Sequence, residues 1–362
     1  MSDADFLSAL HGSAFDLLRD ESPIDRVHRH IDGDAPFDRE LWSTIADLGW
    51  TMIAVPEEHG GMGGGAEALS LLQEAIGAHA APLPFLGTVL LGEALAAWPD
   101  EALSAELLPA LAGGTLVGGS ADLLASKPLR LVRSDQGMTL EGETTVLDGV
   151  AADWLLVRVE DAATPGLALL PATAPGLSCT ARPVADRTRA VAELACNGVA
   201  VGPEQLVLGD AAAPIADKVS RTAMLLLAAD AIGGATAVLD LTVEYLKTRV
   251  QFGKPIGSFQ ALKHRIADVK ASLEMAHRLL IAARRQADGP DAGYWAAMAK
   301  SSACEAYIEV ASEAVQMHGG IGFTWEHPAH IYLKRATLDR ALFGSTAALR
   351  DRVGAALLDK VA

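Results

Sequence analysis

The run from Ala212 to Arg249 constrains this chain most, because it is long, apolar and periodic at helical spacing. A helix of that length needs partners along its whole apolar surface, either other helices or lipid. Its most apolar stretch, Ala223–Ile232, is too short to span a bilayer and contains Asp230, so no membrane-spanning segment is expected. The sequence after it supplies the partners. A second helix begins at Ser258, whose hydroxyl can cap it, and runs to about Gln286. A third runs from about Asp291 to His318 and stops at Gly319-Gly320. A fourth begins after Pro328 and continues, with a break near Gly344, to the end of the chain. Long helices joined by short loops pack as an antiparallel bundle.

The period changes upstream. Leu129–Arg133, Met138–Gly142, Trp154–Val159 and Leu167–Leu170 are short β-type runs punctuated by Gly, Pro and Asp. Regular short strands of this kind suggest a small barrel or sandwich over 112–208. Residues before about 111 read as helical again: Phe37, Leu41, Trp42, Ile45, Leu48 and Trp50 recur near helical spacing. The segment Pro56-Glu57-Glu58-His59-Gly60-Gly61-Met62-Gly63-Gly64-Gly65 is too rich in glycine for a helix and reads as a loop. Helical pattern resumes at Ala66–His79 and around Glu101–Leu111. The expected fold is therefore mainly α with a small β domain: an N-terminal helical domain (1–111), a middle β-barrel or sandwich (112–208) and a C-terminal four-helix bundle (209–362).

A chain of 362 residues, half of them hydrophobic, can bury a large core. Its net charge of -17 repels nucleic acid and anionic membranes at long range, so neither is an expected partner. Any anionic ligand must be held by a local positive cluster. Cys179, Cys196 and Cys304 have neither a disulfide framework nor a metal-type spacing, which fits buried thiols in a reducing cytoplasm and no metal. The opening MSDADFLSAL lacks a basic region followed by an apolar run, so no signal peptide is expected.

Three segments carry chemistry. In Arg249-Val250-Gln251-Phe252-Gly253-Lys254-Pro255-Ile256-Gly257-Ser258-Phe259-Gln260 one long helix ends, a Gly/Pro loop turns the chain and the next helix begins. Arg249 and Lys254 place positive charge beside a new helix N-terminus, where a phosphate can sit, and Gln260 adds a hydrogen-bonding side chain. An ordinary interhelical turn with a solvated arginine accounts for the same residues. In Gln316-Met317-His318-Gly319-Gly320-Ile321-Gly322-Phe323-Thr324 a helix ends in closely spaced glycines, which let backbone approach a ligand. A bare glycine cap is the alternative, and no strand precedes it as a dinucleotide fingerprint requires. Leu342-Phe343-Gly344-Ser345-Thr346-Ala347-Ala348-Leu349-Arg350 forms a bend in the last helical stretch. His330, Lys334 and Arg335 make a basic cluster after Pro328, read as a solvated helix face.

Together and in this order, these segments resemble the acyl-CoA dehydrogenase family over about 216–350: an Arg-x-x-Phe-Gly loop, a Gln-x-x-Gly-Gly-x-Gly-Phe stretch and a final Glu-Gly-Thr-type turn. Phe37-Asp38-Arg39-Glu40-Leu41-Trp42 and Pro56-Glu57-Glu58-His59-Gly60-Gly61 also look like the family's N-terminal region. The resemblance implies a soluble FAD enzyme that removes hydrogen from the α and β carbons of an acyl-CoA. It implies that Arg249 binds the FAD pyrophosphate, that Phe252 packs against the cofactor, and that Gln260 lies near it. Gln316, Gly319 and Gly320 would meet the adenosine–diphosphate half of an FAD shared across a subunit interface, within a dimer or dimer of dimers. The implied electron acceptor is an electron-transferring flavoprotein.

The chain departs from the family where the reaction is done. A carboxylate must take the α-proton, and in most members it is the Glu just before the glycine of the last motif; here that residue is Phe343. Some members place the base on the first long helix of the bundle. Counting back from Arg249 puts that position near Ala223, and the closest acid on roughly the same face is Asp230, seven residues on. Asp230 is then either a relocated base or a partner for a nearby Arg or Lys, or a surface residue; the cost of burying an acid among Leu and Ala favours the second. The family's Thr-Glu-Pro-Gly-x-Gly-Ser-Asp stretch is replaced by Gly118-Gly119-Ser120-Ala121-Asp122-Leu123-Leu124, and its Trp-Ile-Thr segment by Thr145-Val146-Leu147. Two functional readings result. In one the chain is the non-catalytic, FAD-supporting half of a heterotetramer whose other subunit supplies the base, as in members acting on steroid-type acyl-CoAs. In the other it is a self-sufficient homotetramer using Asp230. An oxidase or monooxygenase on the same fold is a third option.

Overall fold

The computed structural model describes residues 3–361. Helices α1 (Asp3–Glu21), α2 (Ile24–Asp32), α3 (Arg39–Asp47), α4 (Gly65–Ala78), α5 (Phe85–Leu95) and α6 (Glu101–Ala112) come first. Strands β1 (Gly118–Ala121), β2 (Leu129–Ser134), β3 (Gly137–Leu147), β4 (Trp154–Asp161), β5 (Thr164–Pro171), β6 (Leu177–Ala181), β7 (Val191–Val201) and β8 (Leu206–Leu208) follow. Helix α7 (Ala212–Thr248), the two-residue strands β9 (Val250–Gln251) and β10 (Lys254–Pro255), and helices α8 (Gln260–Arg285), α9 (Ala292–His318), α10 (Ala329–Ala341) and α11 (Thr346–Val361) complete the chain. This is the mainly α architecture with a small β domain that the change of period implies.

The described residues form two compact units, one of Gly33–Gly65 with Pro82–Ala223, the other of residues up to Asp32 with Ala66–Ala81 and those from Met224 onward. These units do not follow the chain order of helices and strands: α1, α2 and α4 group with the C-terminal helices.

In the β-containing unit, acid side chains start α3 and α6. Asp38 accepts a hydrogen bond from the Leu41 amide (3.0 Å) to cap α3, and Asp100 does the same for α6 through Leu103 (2.8 Å). The sheet runs β6-β7-β3-β1-β4-β5-β8, with β2 pairing with both β3 and β4. Strands β1 and β2 bridge β3 and β4 at opposite ends: β1 meets Val146–Leu147 and Trp154–Leu156, whereas β2 meets Gly137–Glu141 and Val159–Glu160. This closes a barrel-like circuit. Helix α5 packs on β1 and β4, and Leu155, Leu156, Val157 and Leu167–Leu170 are all buried, without the alternation of a half-wet sheet.

The helical unit has one continuous core. Leu225, Ile232 and Leu239 of α7 meet Leu273 and Leu280 of α8, Tyr307 and Val310 of α9, and Tyr332 and Ala336 of α10. Helix α7 has the length and apolar composition to cross a bilayer, contrary to the expectation above, but its apolar window is buried inside the protein. Helix α4 approaches α7 closely at two glycines. A Cβ on Gly77 would overlap the Asp230 backbone, and one on Gly233 would overlap the Glu74 carbonyl. Polar ties fasten α4 to two further helices: Tyr332 of α10 donates to the Ala78 carbonyl (2.8 Å), and Arg284 of α8 pairs with Glu74 and donates to Ser70 Oγ (2.9 Å).

Burial alone would raise the Glu74 carboxyl, but His11 and Arg284 outweigh it and hold it at about 2. This contribution to stability is full above the ordinary glutamate range and falls away as pH drops towards 2. Gly233→Ala tests the helix contact. Alanine in a helix interior gains about 1 kcal/mol over glycine, whereas forcing a methyl into packed backbone costs about 1–3 kcal/mol or more. The overlap is with backbone, which cannot swing aside, so net destabilisation is expected in urea unfolding.

Candidate functional site

The site residues lie at two turns and two buried positions of the helical unit. The first turn follows α7. Strands β9 and β10 pair Gln251 with Lys254 and Val250 with Pro255, which leaves Phe252 and Gly253 as a two-residue hairpin tip. Both have positive φ, 53° and 76°, as a type I′ turn requires. For phenylalanine that conformation carries strain, yet its ring is 91% exposed and is not held by the core. Phe259 faces it edge-on at 6.1 Å, while Lys254 Nζ sits 4.5 Å from the centre of the Phe259 ring. The Arg249 carbonyl accepts from the Ile256 amide (2.8 Å) and closes the base of the hairpin. The Arg249 guanidinium is exposed and makes no hydrogen bond or ion pair among the described residues. Gln260 is the exposed first residue of α8.

Ser258 does not cap α8. It ends a short 3-10 turn, Ile256–Ser258, closed by the Phe259 amide on the Ile256 carbonyl (3.1 Å), and the helix begins two residues later without a side-chain cap.

The second turn ends α9. Gly319 leaves the helix at φ 64° and ψ −140°, a conformation open to glycine alone. Gly319 and Gly320 are exposed, and a Cβ on either would meet nothing within 4 Å. Gly322 faces inward, where a Cβ would come within 2.7 Å of the Val315 carbonyl. Gln316 is exposed on the last turn of α9, and Phe323 stands 77% exposed beyond the glycines. The two turns thus offer an unpaired guanidinium, an exposed aromatic ring and open glycine backbone. That donor set fits an anionic group attached to a flat ring system.

The buried positions differ in kind. Phe343 is fully buried with φ 49°, and Gly344 follows at φ 95°, which makes the break between α10 and α11. Lys300 of α9, itself buried, donates to the Gly344 carbonyl (2.8 Å) and pins that bend. Ala223 is buried as well. Asp230 is fully buried and both its oxygens are engaged: Arg335 Nε donates to Oδ1 (2.8 Å), a second Arg335 nitrogen to Oδ2 (2.7 Å), and Gln73 Nε2 to Oδ2 (2.6 Å).

The basic cluster read as a solvated face is therefore corrected. Arg335 is 0% exposed, His330 is buried, and Lys334 lies 4.7 Å from the Trp325 ring centre. Sequence reasoning missed Arg335 and Gln73 as partners of Asp230. The available signal was the spacing of Arg335 with Tyr332 and Ala336, which places an arginine on the apolar face of α10.

Residues 10–115 match the model of the acyl-CoA dehydrogenase N-terminal domain, and residues 220–358 match that of the C-terminal domain. The chain belongs to the acyl-CoA dehydrogenase family. Among its relatives in that family is the acyl-CoA dehydrogenase IpdE2 of Mycobacterium tuberculosis, 36% identical over 313 residues, which covers 86% of this chain and 84% of IpdE2. The ChsE4-ChsE5 complex from Mycobacterium tuberculosis contains a chain that superposes with a TM-score of 0.90 at 28% identity, over 97% of each chain. The Tcur3481-Tcur3483 steroid acyl-CoA dehydrogenase superposes with a TM-score of 0.88 at 31% identity, over 99% of each chain.

Within this acyl-CoA dehydrogenase chain, removing one partner of a buried ion pair leaves the other charge uncompensated, at about 3–5 kcal/mol. Asp230→Ala is expected to lower unfolding free energy by that amount. Asp230→Leu combined with Arg335→Met should recover most of it in denaturant titrations.

Proposed function

We propose that this chain is the non-catalytic, FAD-supporting subunit of a heteromeric acyl-CoA dehydrogenase that acts on a bulky, steroid-type acyl-CoA. The observation that carries the reading is the state of the two carboxylate positions. Where the family's glutamate would stand, a phenylalanine is sealed into the core. The remaining acid, Asp230, has its oxygens held by a bidentate guanidinium and an amide. A base must accept a proton, and protonating Asp230 would strand Arg335 as a buried unpaired cation. A self-sufficient enzyme with Asp230 as its base is disfavoured on that ground.

The cofactor side is retained. Arg249 would hold the FAD pyrophosphate, Phe252 would pack against the cofactor, and Gln260 would lie beside it. Gln316, Gly319 and Gly320 would meet the adenosine–diphosphate half. Bound FAD supplies the hydride acceptor for the β-carbon. This chain's residues bind and orient its tail, while the second subunit provides the carboxylate that takes the α-proton. Two of the similar structures, ChsE4-ChsE5 and Tcur3481-Tcur3483, bear paired names, and the second is named a steroid enzyme. That supports a heterotetramer and a cyclic acyl group. The reduced enzyme would pass electrons to an electron-transferring flavoprotein.

Absorbance near 450 nm, measured on the chain alone and after co-expression with a second dehydrogenase subunit, tests the reading. Flavin and acyl-CoA-dependent bleaching should appear only in the pair. Flavin bleached by acyl-CoA in the lone chain would overturn it. In the active pair, Arg249→Ala should weaken flavin binding about 10–100-fold, the loss of charged hydrogen bonds of about 1.5–3 kcal/mol. Asp230→Asn should leave turnover per bound flavin within about threefold. A loss of about a hundredfold or more would make Asp230 the base.

A further inference from the structure

His318 ends α9 and lies under the glycine turn, almost fully buried. Two tilted rings lie near its own: Tyr245 of α7 at 4.4 Å and His327 at 4.2 Å between ring centres. His318 Nδ1 lies 2.8 Å from the Ala314 carbonyl, so Nδ1 carries the proton and donates it. The other nitrogen, Nε2, is buried without a hydrogen-bond partner among the described residues. The turn packs back on this residue, since a Cβ on Gly322 would fall 3.1 Å from His318 Cβ and 2.7 Å from the Val315 carbonyl oxygen. Beyond the turn, the Thr324 amide returns to the Ile321 carbonyl (3.0 Å), and His327 Nδ1 accepts from the Ala329 amide (3.3 Å). The exposed Gly319–Gly320 backbone thus follows directly on a ring cluster of Tyr245, His318 and His327.

We propose that His318 is a positioning residue for the cofactor tail, its neutral ring fixing the Gly319–Phe323 turn in the conformation that receives the ligand. The inference rests on the reading that this turn meets FAD. It also makes the turn sensitive to acid. A proton on Nε2 would be a buried donor with no acceptor, beside a second imidazole. The titratable groups around this cluster do little to welcome it: Tyr245 on α7 and His327 beside the ring, His330 on α10 and His28 on α2 near His327, and Lys334 and Glu326 near His330. Glu326 is the one acid in that set, and it is exposed.

Burial pushes His318 below the ordinary histidine value. Burial, then the neighbouring His318, His330 and His28, takes His327 down to about 4. The sign follows: groups depressed in the folded state stabilise it above their unfolded value of 6.5, and that contribution is lost as pH falls towards about 4.

The test uses two variants of the full chain, with its partner where the pair is needed for flavin. His318→Phe keeps a flat ring that cannot take a proton, and His318→Ala removes the ring. Amide hydrogen exchange of Gly319–Phe323, corrected for intrinsic rates, is compared at pH 7.5 and 5.0, and FAD affinity is read by flavin fluorescence at both. Wild type should exchange at least about tenfold faster and bind FAD more weakly at the lower pH. His318→Ala should behave that way at both pH values, and His318→Phe at neither. A His318→Phe chain with the wild-type pH response, or a His318→Ala chain with unchanged exchange and FAD affinity at pH 7.5, would overturn the proposal. A wild-type pair that takes up no FAD overturns the cofactor reading instead, and the exchange data then decide the role of His318 in the turn.

Discussion

The helical unit depends on one buried ion pair. Asp230 and Arg335 fasten α7 to α10, and Gln73 brings α4 to the same carboxylate. Two ions this deep are costly to desolvate, and only a bidentate geometry with further hydrogen bonds offsets that cost. The pair therefore specifies more than it stabilises. An alternative packing of these helices, or a slip of one turn, would leave a bare charge in an apolar core. Glycine makes the arrangement possible, because Gly77 lets α4 lie directly on the Asp230 backbone and Gly233 lets α7 lie on that of Glu74.

The same pair bears on chemistry. A carboxylate used to hold a core together is unsuited to exchanging protons with a substrate, since each protonation would unbalance Arg335. The bend that carries the family's glutamate has become structural as well. Phe343 fills space and Lys300 grips the next carbonyl, so the segment is held by its packing. Elsewhere in the same unit the hairpin tip and the glycine turn keep exposed, strained or unpartnered groups that their own chain does not use. Such groups persist where a ligand or a second chain completes them.

Much of the fold was legible in the sequence, and the illegible parts share a cause. Strands β2 to β5 showed because Leu and Val runs are bounded by turn residues. Strand β1, Gly-Gly-Ser-Ala, has no β-branched or aromatic residue to mark it and is a strand because it bridges β3 and β4. Helix α5 is apolar on every side, so no period marks it; it is buried between sheet and helices. Ser258 reads as a cap, but the backbone closed a 3-10 turn first.

The sequence by itself determined the family, the order of helices and strands, the two glycine-marked turns and the absence of a glutamate at position 343. The family came from the resemblance of the three motifs, and the rest follows from local chemistry, since periodicity and turn propensity act over a few residues. Tertiary structure alone decided what Asp230 does, because its partners lie 157 residues before it and 105 after it along the chain. It also decided that His318 lies inside a cluster of rings and that Arg335 is interior while Arg249 is not. Burial and charge pairing are properties of distant segments brought together, and no local pattern encodes which arginine will meet which acid.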